Sequence, residues 1–130
     1  MIYVPVSLGE LIDKITILKI KLVKISDENK LQNVKKEYNE LTKIMNEHNI
    51  FEENQLFIRL YELNLKFWEY HDWQREQWKY ANDNYINIEL YKQNRNEHVM
   101  NDTRAEIKKQ INISYQSEIV EEKQFLGYGI

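Results

Sequence analysis

The sequence predicts an all-α fold, an antiparallel bundle of three to four long helices with a short extended N-terminus and an irregular C-terminal tail. Three observations carry this expectation. Glycine occurs only at Gly9, Gly127 and Gly129 and proline only at Pro5, so no strong helix breaker lies between residues 10 and 126. Apolar residues recur at alternating steps of three and four, the period of a helix that buries one face. The polar breaks between these stretches are short, and short connections favour antiparallel neighbours. The 130 residues suffice for a real core, so residues 1–130 are read as a single helical-bundle domain with helices near 8–25, 28–47, 54–80 and 86–115.

The chain opens on Ile2-Tyr3-Val4-Pro5-Val6, where Pro5 disfavours helix at Val4. Ser7 and Glu10 then form an S-x-x-E pattern, a capping box in which each side chain satisfies a backbone N–H of the other. Leu11, Ile15, Leu18, Leu22 and Ile25 set the stripe of the first helix. Ile12, Ile17, Ile20 and Val23 widen it, so this helix is expected to pack on more than one side. Ser26 or Asp27 caps a second stretch carried by Leu31, Val34, Tyr38, Leu41 and Met45, either a separate helix or a kinked continuation. Residues 48–54 turn into a third helix with the stripe Leu56, Leu60, Leu63, Phe67 and Tyr70, which also carries Trp68, Trp73 and Trp78. After a break at residues 81–84, Ile86 and Leu90 lead through a polar stretch to Ile107, Ile111 and Tyr115. Unbroken stripes of this kind also serve an intermolecular coiled coil, so self-association to a homo-oligomer is expected.

Composition excludes several function classes. No apolar run reaches the length of a membrane span, and no basic, apolar and small-residue sequence marks a signal peptide, so a soluble cytoplasmic protein with no membrane role is expected. The absence of cysteine rules out disulfides, thiolate metal sites and cysteine nucleophiles. The net charge of −3 comes from interleaved acids and bases, which disfavours general nucleic-acid binding.

Four polar motifs stand out: residues 7–14 (SLGELIDK), 68–75 (WEYHDWQR), 101–108 (NDTRAEIK) and 117–123 (SEIVEEK). A fold that gathers them builds one polar site. Arg104 and Lys108 lie one turn apart between Asn101 and Asn112, so one face of the last helix offers two cations between two amides. With Lys14 and Arg75 they are the candidate ligand-binding residues, since guanidinium and ammonium groups hold phosphates and carboxylates. Glu69 and Asp72 would orient the guanidinium groups. The competing structural role pairs Arg104 with Asp13 or Glu69 to fix helix register. Glu10/Asp13 and Glu69/Asp72 share the form E-x-x-D, and two such pairs facing inward from adjacent helices can hold Mg²⁺ or Mn²⁺. This is the alternative, metal reading; the leading one needs no cofactor. His71 and His98 have no second His at ligand spacing and are read as packing residues. The five-residue recurrence of the tryptophans rotates them around their helix, which makes Trp73 and Trp78 candidates for a partner interface.

Taken in order, the four motifs resemble an uncharacterised family of small bacterial and phage proteins, known only as a domain of unknown function, and the resemblance spans nearly the whole chain. No activity is carried by it. It implies a loose link to cell-surface polysaccharide synthesis, hence an anionic sugar or nucleotide-sugar as ligand. Its members often place Pro after the residue matching Asp27, where this chain has Glu28.

The leading expectation is therefore a binding or accessory protein whose polar site takes an anionic small molecule, such as a phosphate, nucleotide-sugar or carboxylate, or a protein partner. The alternatives are a Mg- or Mn-dependent phosphohydrolase or pyrophosphohydrolase built on the E-x-x-D pairs, and a purely structural scaffold.

Overall fold

The computed structural model describes residues 1–80 and 87–124. Four helices are present among them and no strand: α1 (Leu8–Lys24), α2 (Glu28–Glu47), α3 (Gln55–Trp78) and α4 (Ile88–Ser114). The break expected at 81–84, the helix start expected at Ile86 and the tail from residue 125 lie outside the described residues.

Each helix starts at a short polar side chain that accepts a first-turn N–H. Ser7, Asp27, Asn54 and Asn87 are the four caps. Asp27 Oδ1 takes the Lys30 N–H at 2.9 Å, and Ile25 before it is extended, so α1 and α2 are separate helices even with Glu28 in place of proline. Two helix ends need a left-handed residue and use no glycine. Asn49 (φ 59°) ends α2 and Gln116 (φ 51°) ends α4. In both, the next N–H reaches back five residues, Ile50 to the Met45 carbonyl and Ser117 to the Asn112 carbonyl, the closure of a Schellman turn. The second of these turns sends the C-terminal segment back toward the start of α1.

α1 is adjacent to each of the other three helices, and α3 pairs with α4. This explains why Ile12 and Ile20 are as buried as Leu11, Ile15 and Leu18; Val23, also expected to widen the stripe, is 73% exposed. Arg59 meets Gln110, Phe67 meets Arg104 and His71 meets Glu97, so α3 and α4 run antiparallel. The core joins Leu11, Ile12 and Ile15 of α1, Met45 of α2, Ile50 of the connection that follows it, Phe57 and Leu60 of α3, and Ile107 and Ile111 of α4. Each such side chain contributes about 1.5–3 kcal/mol on burial, against about 1 kcal/mol for a cap, so core packing dominates stability. Among the described residues no helix is long and apolar enough to cross a membrane.

Candidate functional site

The site begins where α1 and α4 touch. A Cβ on Gly9 would stand 2.5 Å from the Lys108 carbonyl oxygen, so only glycine permits this approach without a shift of backbone. The contact puts the first turn of α1 among polar groups of α4 and the C-terminal segment. The Leu8 N–H donates to Ser117 Oγ at 3.1 Å, the Gly9 N–H to Asn112 Oδ1 at 2.7 Å and the Glu10 N–H to Ser7 Oγ at 3.0 Å. The first three amides of α1 are thus all satisfied by side chains. The Ser7 hydroxyl and the Asn112 amide both donate to Glu121 Oε1, which fixes the C-terminal segment over the helix start. Burial pushes the Glu121 carboxyl up, but these two bonds and the nearby Lys108 charge hold it below the ordinary glutamate value.

The capping box forms by half. Ser7 caps as expected, but Glu10 turns its carboxylate to Lys108 Nζ at 2.7 Å, because the close approach of α4 offers a charge where the box would use a backbone N–H. Lys108 also lies 3.8 Å from Asp13 Oδ2. Asp13 is buried, and its other oxygen accepts from Asn64 Nδ2 at 2.8 Å; the same amide donates to Thr16 Oγ1.

Below this layer, Arg104 is half-buried. Its Nη1 donates to Asn64 Oδ1 at 3.3 Å, its Nη2 donates to Asn101 Oδ1 at 2.7 Å, and its guanidinium lies 4.3 Å from the centre of the Phe67 ring. Neither expected partner, Asp13 or Glu69, reaches it: Asn64 stands between Arg104 and Asp13. Among the described residues Arg104 makes no ion pair, whereas Lys108 is paired with Glu10 and Lys109 with Glu122 at 2.9 Å. Arg104, Asn101, Lys108 and Asn112 line a cleft of about 500 Å³ between α1, α4 and the C-terminal segment, which Asp13 and Ile17 close from α1. The volume suits a small ligand. Its carboxylates are largely engaged: Asp13 by Asn64, Glu121 by Ser7 and Asn112, and Glu122 by Lys109. Asp102 and Glu106 also line it.

Motifs one, three and four therefore converge, and the second does not. Glu69, Asp72 and Arg75 are exposed on α3 and form no ion pair among the described residues. Lys14 is exposed on the far side of α1, paired with Glu37 of α2 at 2.9 Å. The helical phase decides both cases, since Asp13 faces inward and its neighbour Lys14 cannot. Asn112 lies in the cleft wall but is 2% exposed, with oxygen and nitrogen both committed to Gly9 and Glu121, so it builds the wall instead of offering a free amide. The two E-x-x-D pairs are not brought together, and among the described residues no three of His, Asp and Glu gather as a metal-ligand set. His71 bonds Glu97 at 2.8 Å between α3 and α4. Trp73 packs its ring 5.9 Å from Tyr70, and Trp78 is 59% exposed.

Asn64 is the residue the motifs do not contain. It is 3% exposed, one turn after Leu60 and three residues before Phe67 on the buried face of α3. An amide in that stripe is itself the signal, since a buried amide needs partners.

No curated protein and no solved structure matches the chain. A family model matches it over residues 2–128, and on that extent the chain belongs to the family of unknown function DUF6165.

Proposed function

We propose that this is a binding or accessory protein that holds the carboxylate or phosphate of a small anionic ligand on Arg104 in the cleft between α1, α4 and the C-terminal segment. The observation that carries this reading is the environment of Arg104. A half-buried charge is costly without a counter-charge, yet the partners of Arg104 are two neutral amides and an aromatic face. Those contacts use two of five guanidinium N–H donors and fix its plane, leaving donors for a bidentate grip on an oxyanion. Pre-positioning by Phe67, Asn64 and Asn101 lowers the ordering cost of binding. Lys108, tied to Glu10 and Asp13, adds positive field without being the anchor. The rim carboxylates Asp102 and Glu106 disfavour a large polyanion and suit a ligand with one compact anionic group and hydrogen-bond donors elsewhere. We propose a cytoplasmic location as part of this reading, with which the lack of cysteine is compatible.

A thermal-shift panel of inorganic phosphate, dicarboxylates, sugar phosphates, nucleotides and nucleotide-sugars tests the proposal. Ligand at a hundredfold excess over Kd stabilises by about 2.7 kcal/mol, a shift of several degrees in Tm. The expected result is such a shift in the wild type, lost in Arg104→Gln and kept in Arg75→Gln. A panel without any shift, or a shift indifferent to Arg104→Gln, overturns it.

A further inference from the structure

The remaining feature is at the start of the chain. Met1, Ile2, Tyr3, Val4 and Val6 are 88%, 89%, 85%, 66% and 51% exposed, and Ile119 and Val120 of the C-terminal segment are 40% and 38% exposed. Single exposed apolar residues are ordinary, but a contiguous run is not. Nor is the arm a loose end at its root. Ser7, the next residue, caps α1 and donates to Glu121, so the arm leaves from a fixed point beside Ile119 and Val120. Pro5 has a fixed φ and holds Val4 out of the helical region, so α1 cannot extend into the arm. Residues 1–6 have no hydrogen bond among the described residues, which leaves backbone donors and acceptors for another chain.

We propose that this arm and the Ile119–Val120 patch form the interface through which two copies of the chain associate. The two apolar features lie at one end of the molecule, so a two-fold axis there sets the arm of each copy on the patch of the other in two equivalent contacts that close on themselves. All seven side chains are at least 38% exposed, and a two-fold axis counts each arm-on-patch contact twice toward the ~800 Å² that each partner buries in a standard stable interface. The charge nearby disfavours a lipid surface as the occupant: residues 1–6 contain no Lys or Arg, and Glu118, Glu121 and Glu122 flank the patch.

Sedimentation velocity on the full chain, from low to high micromolar concentration, tests the inference, with circular dichroism to verify that each variant is folded. The arm is outside the core, so the double variant Ile2→Asp/Tyr3→Asp leaves folding intact; Val120→Asp probes the patch independently, and Trp78→Asp changes the exposed aromatic end of α3. The expected result is a wild-type dimer, monomers for the arm and patch variants, and a dimer for Trp78→Asp. A wild type that stays monomeric throughout, a dimer that survives the arm variant, or dissociation by Trp78→Asp alone overturns it. So does a monomer whose arm binds zwitterionic lipid vesicles, which assigns the surface to a membrane.

Discussion

Gly9 and Lys108 bring α1 and α4 into backbone contact: a Cβ on the glycine would lie 2.5 Å from the lysine carbonyl oxygen and 3.0 Å from Asn112 Oδ1. Everything above the cleft depends on that approach, because it is what lets Asn112 and Ser117 reach the first amides of α1 and Glu10 reach Lys108.

Gly9→Ala is therefore expected to destabilise the protein. Alanine gains about 1 kcal/mol of helix propensity over glycine, but overpacking against backbone costs about 1–3 kcal/mol or more, and the Gly9–Asn112 bond would stretch as well. A lower urea midpoint with an unchanged slope is the expected result; a stabilised variant would show that the helices separate at no cost.

Asn112→Ala removes the acceptor of the buried Gly9 N–H and one donor to Glu121. An orphaned buried donor costs about 1–3 kcal/mol. Hydrogen exchange is expected to accelerate at Leu8, Gly9 and Glu10 ahead of the rest of the core, since the C-terminal segment loses its anchor. Unchanged protection there would mean that the segment is held by other contacts.

The acid and alkaline limbs of stability have different owners. The folded-state value of Glu121 is lowered below its ordinary 4.5, so its contribution is fully present above that pH and is lost as pH falls through the folded value. Wild type should therefore lose stability in acid more steeply than Glu121→Gln, as read from urea midpoints between neutral and acidic pH. Tyr38 behaves oppositely. Burial and its hydrogen bond to Glu52 push its hydroxyl from 10.0 to about 12, so its contribution is intact below 10.0 and lost as pH rises toward about 12. Tyr38→Phe should flatten that alkaline loss, and parallel curves for the variant and the wild type would refute the assignment.

Asn64→Asp tests the spacer between Asp13 and Arg104. It supplies Arg104 with a carboxylate where the amide oxygen now stands, 3.3 Å from Nη1, and sets a second carboxylate against Asp13. Anion binding should disappear because the cation is neutralised. Stability should fall at neutral pH and partly return as acid protonates one member of the carboxylate pair. Retained ligand response in this variant would place the site elsewhere.

The helices were legible because their apolar stripes and the caps Ser7 and Asp27 are local in sequence; Asn54 and Asn87, not expected as caps from the sequence, also act within their own first turn. Three of the four motifs meet for the same reason that α1 crosses to α4, but which residues face the cleft depends on helix phase and on one glycine contact. Phase separates inward Asp13 from outward Lys14, and the depth of α3 separates buried Asn64 from exposed Glu69, Asp72 and Arg75. The competition for Glu10 between a backbone N–H and Lys108 is settled by a residue 98 positions away, beyond the reach of a local pattern.

The central claim is that Arg104 is a positioned, unneutralised anion receptor. Its most direct test follows the side-chain Nε–H resonance of Arg104 in labelled protein while inorganic phosphate or a short dicarboxylate is added, with the exposed Arg75 as internal reference. A saturable shift at Arg104 alone, abolished by Asn64→Asp, is the predicted result. A flat response, or the same linear drift at Arg104 and Arg75, would contradict the account.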